Sequence, residues 1–218
     1  MIPARALVTR VWYQEREWNI VEVMTETLIA RTNEEIEYAF RVLSLSANIG
    51  CDTETSGLNS RASRLLSVQF SDGKFSVLVP SSEGVRLGVL ASILESDAHT
   101  KIIHNAKFDL QFLNRAGYGV RNVFDSMIAE KLITRGADQS CSLAETLYRY
   151  FAVDLDKSKR SVFSNKTWNG LWTDELVKYA LSDVIHLASL KEEQEIWLER
   201  LGLMREFRIK LMKLIANS

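Results

Sequence analysis

Hydrophobic and polar positions change period several times along the chain, and each change marks an element. Residues 1–30 alternate β-branched or aromatic residues with polar ones, as in VWYQEREWNIVEV, which predicts one or two peripheral strands in an N-terminal extension. From Thr32, TNEEIEYAFRVLSL couples an N-cap to an acidic first turn and starts a helix. Three strand-like runs follow, NIGCDTE, LLSVQFS and KFSVLVP, with a hairpin turn at SDG (71–73) between the last two. VRLGVLASIL has helical spacing, KIIH reads as a short buried strand, and KFDLQFLNRAG reads as a helix closed by Gly117. NVFD is another strand, with helices after it at about 126–134 and 142–151. One long helix is predicted from Thr173 towards residue 200, and a last one over 203–216. Strands alternating with helices after an initial meander predict an α/β fold with a mixed sheet. A length of 218 residues suits a single domain over 1–218.

Composition narrows the class without naming an activity. Lys and Arg number 27 against 28 Asp and Glu, so no global basic field advertises nucleic acid, although a local groove is compatible with the balance. Two cysteines, Cys51 and Cys141, form neither a disulfide framework nor a CxxC pair, which suits a reducing compartment. With three scattered histidines they make a poor zinc set. MIPARALVTR is too short in its apolar run for a signal peptide, and no segment approaches the roughly 18 apolar residues of a membrane span. A cytoplasmic protein with no membrane partner is expected.

The candidate chemistry lies in acidic residues. Asp52 and Glu54, in CDTETSGL, stand two apart at the end of an apolar strand and therefore share a face. Alone, the pair fits a solvated strand end. HNAKFD places Asp109 where KIIH passes into a helix; there a carboxylate can cap the helix, or join a site at the carboxyl ends of the strands. In YALSDVIHL, Asp183 interrupts the apolar face formed by Leu176, Tyr179, Ala180, Leu187 and Leu190. A carboxylate on such a face needs a partner, an arginine, backbone groups or a metal. Four converging oxygen ligands describe hard divalent cations, Mg²⁺ or Mn²⁺. Two such ions about 3.5–4 Å apart are the arrangement that hydrolyses phosphodiesters in line.

The ordered set CDTETSGL, HNAKFDLQFL and YALSDVIHL resembles the three motifs of the DEDD superfamily of 3′→5′ exonucleases. The likeness is to the proofreading domain of family A DNA polymerases and to RNase D, over roughly residues 28–200. It implies an RNase H-like fold, a five-stranded mixed sheet flanked by helices. It also implies that Asp52, Glu54 and Asp183 hold a first divalent metal, with Asp52 bridging to a second that Asp109 supports. Tyr179, with Glu54, is implied to orient the attacking water. Leu58 falls at the position of an apolar wedge against the terminal base, and Asn105 and Phe108 at contacts to the terminal nucleotide. His104 and Asp109 copy the H-x4-D spacing of the histidine subclass, but the slot five before Asp183 holds Lys178, so the tyrosine subclass is expected.

The expected substrate is the 3′ end of single-stranded DNA or RNA, with DNA favoured by the motifs and an RNase D-like exoribonuclease as the alternative. A catalytically inactive nucleic-acid-binding module and an RNase H-like endonuclease are the rivals. The first has no use for four anions; the second lacks a reason for Leu58 and Asn105. Proofreading in cis is not expected of these 218 residues, which hold no polymerase domain. KSKRSVFSNK (157–166) fits either a phosphate contact or a solvated loop, while Trp168, Trp172, Cys51, His186 and the 203–216 helix are expected to serve packing.

Overall fold

A computed structural model describes residues 7–14, 20–135, 137–156, 158–165 and 168–216. Its seven-stranded sheet has the order β1-β2-β5-β4-β3-β6-β7. The strands are β1 (Leu7–Gln14), β2 (Ile20–Ile29), β3 (Asn48–Thr55), β4 (Leu65–Ser71), β5 (Phe75–Val79), β6 (Thr100–Ile103) and β7 (Val123–Asp125). β3, β4 and β5 form an antiparallel meander, and β6 and β7 add parallel to β3. These five strands are the predicted RNase H-like sheet. The five-strand count was too low for the whole chain, because β2 pairs parallel with β5 and carries β1 antiparallel on its outer edge. The N-terminal extension is thus part of the sheet. Its residues 1–6 and 15–19 lie outside the described ones.

Helices α1 (Asn33–Leu43), α2 (Ala91–Glu95) and α3 (Ala106–Arg115) belong to one layer. Ile36, Leu43, Ile93, Leu110 and Leu113 pack there with Cys51, Phe70 and Val77 of the sheet. Thr32 is the N-cap expected for α1, and with Glu35 it forms a full capping box. The opposite layer holds α4 (Ser126–Ile133), α5 (Leu143–Phe151), α6 (Arg160–Ser164), α7 (Asp174–Ile185), α8 (Leu187–Arg200) and α9 (Met204–Ile215). Leu176, Ala180, Leu187, Leu190 and Phe207 pack there with Leu66, Leu78 and Ile102. α9 therefore closes a core, as expected, through Phe207.

The long helix predicted from Thr173 is in fact two. His186 (φ −95, ψ −4) ends α7 and opens α8. The bend sits over β3, where the Val184 carbonyl and the Leu187 side chain crowd Gly50. His186 is buried against Phe151, with ring centroids 6.4 Å apart. Burial lowers its pKa to about 4, so it is a neutral packing residue at neutral pH. Among the described residues no helix is long and apolar enough to cross a membrane.

Candidate active site

The site is built at the carboxyl end of β3, the middle strand of the five-stranded part of the sheet. Cys51 is fully buried in the α1–α3 layer, so Asp52 and Glu54 project to the α7 side. α7 brings Asp183 to them: one ligand atom from each of Asp52, Glu54 and Asp183 lies within 4.8 Å of the others. Gly50 permits this approach. A Cβ at that position would lie 2.6 Å from the Val184 carbonyl oxygen and 3.0 Å from Leu187 Cβ. Any larger residue would push away the turn of helix that carries Asp183.

Asp109 reaches the same strand end from the other layer, on α3, and is only 2% exposed. It is not one of the three clustered carboxylates. Its Oδ1 accepts from the Thr53 N–H at 3.1 Å and from the Thr53 hydroxyl at 2.6 Å. Thr53 points away from Asp52 along the strand, so α3 meets the backbone of the acidic pair from behind. Burial pushes Asp109 up to about 7, opposed by the Thr53 donors. Burial also raises Asp52 well above the usual carboxylate range, helped by the charges of Asp109, Asp183 and Glu54. Without a cation this group of anions is under mutual repulsion, and its all-oxygen donor set fits a hard divalent ion.

Tyr179 lies one turn before Asp183 on α7 and is half-buried. Its ring packs 5.9 Å from Phe163 of α6, within an aromatic group that includes Trp168 and Trp172. Both tryptophans are in packing roles, Trp172 fully and Trp168 in part. Lys157 and Lys166 of the basic stretch lie outside the described residues. Leu58, just past β3, is 83% exposed. Asn105 precedes α3 in the left-handed region (φ 69, ψ 52) and is exposed, and Phe108 leans on Phe112 at 5.1 Å. His104 is already engaged: its Nδ1 lies 2.9 Å from the Ser126 hydroxyl and its Nε2 2.9 Å from the Cys141 carbonyl. The carbonyl can only accept, so Nε2 donates and Nδ1 accepts. Burial lowers the ring to about 4, which keeps it neutral.

Four residues that sequence reasoning passed over support this arrangement: Gly50, Thr53, Asp125 and Phe163. A glycine inside a strand is a signal of close backbone approach, and Gly50 carries it. Asp125, between β7 and α4, carries an N-cap signal. Thr53 and Phe163 carry no signal of their own.

The fold and the acidic cluster define a hydrolytic nuclease of the RNase H-like class. A family model described as 3'-5' exonuclease matches residues 28–196, and the chain belongs to that family. DNA polymerase I of Aquifex aeolicus is 30% identical over 161 residues, 73% of this chain but 26% of the polymerase; the chain thus spans about a quarter of that relative. Brucella melitensis NrnC is similar over 86% of this chain and 87% of its own, at 27% identity and a TM-score of 0.71. Structures of NrnC with bound Mg²⁺ and bound to pGG match at TM-scores of 0.67 and 0.70. Escherichia coli RNase D shares the fold, with a TM-score of 0.74 at 21% identity over 86% of this chain and 49% of its own. Divalent metal is the cofactor of such exonucleases, and the acidic cluster is the matching feature here.

Proposed function

We propose that the chain removes nucleotides one at a time from single-stranded 3′ ends, by a two-metal-ion hydrolysis that leaves nucleoside 5′-monophosphates. The observation that carries this reading is the convergence of Asp52, Glu54 and Asp183 from two elements, with Asp109 behind them. Asp52, Glu54 and Asp183 would hold one divalent ion and Asp52 with Asp109 a second. When bound, such ions supply the positive charge that makes a water nucleophilic and stabilises the departing 3′ oxygen.

The chain's own residues do the rest. The Tyr179 hydroxyl, from the same helix as Asp183, orients the attacking water together with Glu54. Phe163, itself packed on Trp168 and Trp172, holds the ring and leaves that work to the hydroxyl. Leu58 is too exposed to serve the core and is free to wedge against a terminal base. Asn105 and the Phe108 ring flank the same strand end and bind the last nucleotide.

The substrate we favour is a short single-stranded oligonucleotide. The likeness to NrnC spans nearly all of both chains, and a structure of that protein is bound to pGG. The polymerase likeness is confined to 26% of that protein and supports DNA only through the shared motifs. Matched DNA and RNA oligonucleotides, labelled at the 5′ end and digested with Mg²⁺ and with Mn²⁺, test both parts. Shortening from the 3′ end supports the exonuclease, and the faster of the two substrates identifies the sugar. Cutting of a circular single strand would replace this reading by an endonuclease.

A further inference from the structure

Asn105 is exposed and non-glycine, yet it holds a left-handed backbone. Asparagine enters this region more readily than most side chains but still less freely than glycine, so contacts around it decide whether it stays there. What fixes it lies on the neighbouring strand. Asp125 is 1% exposed, and its two oxygens face two different turns. Oδ1 accepts from the Met127 and Ile128 N–H groups, 2.9 Å each, and caps α4. Oδ2 accepts from the Ala106 N–H at 2.8 Å, and the Asn105 N–H also stabilises the carboxylate. On the other side of Asn105, His104 is bound to the Ser126 hydroxyl. Residues 104 and 106 are thus both anchored to the 125–126 junction, with the bent residue between them.

We propose that Asp125 is a positioning residue for substrate binding. It clamps the turn before α3 so that Asn105 keeps the left-handed conformation in which its side chain meets the terminal nucleotide. This rests on the assignment of Asn105 to the substrate made above. An aspartate suits the task because a carboxylate has two acceptors for two sets of N–H donors. An isosteric asparagine has one acceptor. It can still cap α4, but then presents an NH₂ to the Ala106 N–H.

The test compares the parent with Asp125→Asn, Asn105→Gly and the double variant, on a single-stranded oligonucleotide at saturating Mg²⁺. Asp125→Ser, which keeps one capping oxygen and has no second for Ala106, serves as an independent variant if Asp125→Asn folds poorly. Asp125→Asn is expected to raise KM roughly five- to fifty-fold with kcat changed less than about threefold, from loss of one charge-assisted contact. Asn105→Gly should raise KM similarly. Glycine enters the left-handed region freely, so the double variant should be no worse than Asn105→Gly alone. Parental KM in Asp125→Asn or Asp125→Ser, while Asn105→Gly is impaired, overturns the clamp. Multiplicative KM effects in the double variant overturn it too, because Asp125 would then act through something other than Asn105. If Asn105→Gly itself leaves KM unchanged, the assignment of Asn105 to the substrate falls, and the clamp with it.

Discussion

Replacing Asp52 by asparagine should move stability and activity in opposite directions. The substitution keeps the shape of a side chain whose nearest neighbours are carboxylates, with Glu54 and Asp183 atoms within 4.8 Å. Two unit charges at that separation repel by about 3 kcal/mol at an effective dielectric of about 20. Partial protonation of the cluster already relieves much of this in the metal-free parent. A net gain of about 1–3 kcal/mol at pH 8 is therefore expected, or roughly 2–10 °C in Tm for a chain of this size. The pH dependence has a definite sign. Asp52 and Asp109 have raised pKa values in the folded state, Asp109 up to about 7. The native protein thus holds protons that the unfolded chain releases above roughly pH 4, and parent stability falls as pH rises towards and through 7. The advantage of Asp52→Asn should shrink as pH falls, because Asp109, pushed up to about 7, and the raised Asp52 then take up protons in the parent. Adding Mg²⁺ at pH 8 should raise the parent's Tm and leave the variant's nearly unchanged. Turnover should fall at least about a thousandfold. Thermal melts in EDTA and in Mg²⁺ at both pH values, with an exonuclease assay, measure all of this. A variant less stable than the parent at pH 8 in EDTA would refute the account of Asp52 as one of several crowded anions.

Three further substitutions separate the parts of the site. Tyr179→Phe keeps the packing on Phe163 and loses only the hydroxyl, so Tm should stay within about 1 °C while kcat falls about 10- to 1000-fold; a large Tm loss with parental kcat would make Tyr179 structural. Gly50→Ala puts a Cβ 2.6 Å from the Val184 carbonyl, so a loss of about 1–3 kcal/mol in denaturant unfolding is expected, with lower kcat because Asp183 is displaced. Parental values for both would show that α7 does not need that approach. Leu58→Ala, at an exposed position, should leave stability alone and weaken the preference for frayed over blunt 3′ ends, since opening each pair costs a few kcal/mol; an unchanged preference removes Leu58 from the wedge role.

The sequence made the acidic cluster more legible than the scaffolding that assembles it. Asp52 and Glu54 were readable because strand alternation puts them on one face, and Asp183 because it breaks an apolar helix face. The strands of the central sheet were readable from short apolar runs between turn residues. What was hidden depends on contacts between distant segments. The pairing of β2 with β5 joins residues about 50 apart, and nothing in the alternating pattern says that the extension continues the sheet. The break at His186 leaves the apolar spacing of Leu176, Ala180, Leu187 and Leu190 nearly unbroken, so periodicity could not reveal it. Asp109 was foreseen at the right strand end, but its bond to Thr53 joins two elements that no local pattern relates. Asp125 was passed over although it caps α4; its second oxygen, on Ala106, is visible only in three dimensions.

The central claim is that the acidic cluster of this chain hydrolyses nucleic acid from the 3′ end. The most direct test is to incubate the protein with a single-stranded oligonucleotide labelled at its 5′ end and follow product length over time. With Mg²⁺ or Mn²⁺, a ladder shortening one nucleotide at a time and releasing nucleoside 5′-monophosphates is expected, abolished by EDTA and by Asp183→Ala. Immediate appearance of short labelled fragments, or a ladder that persists in Asp183→Ala, would contradict it.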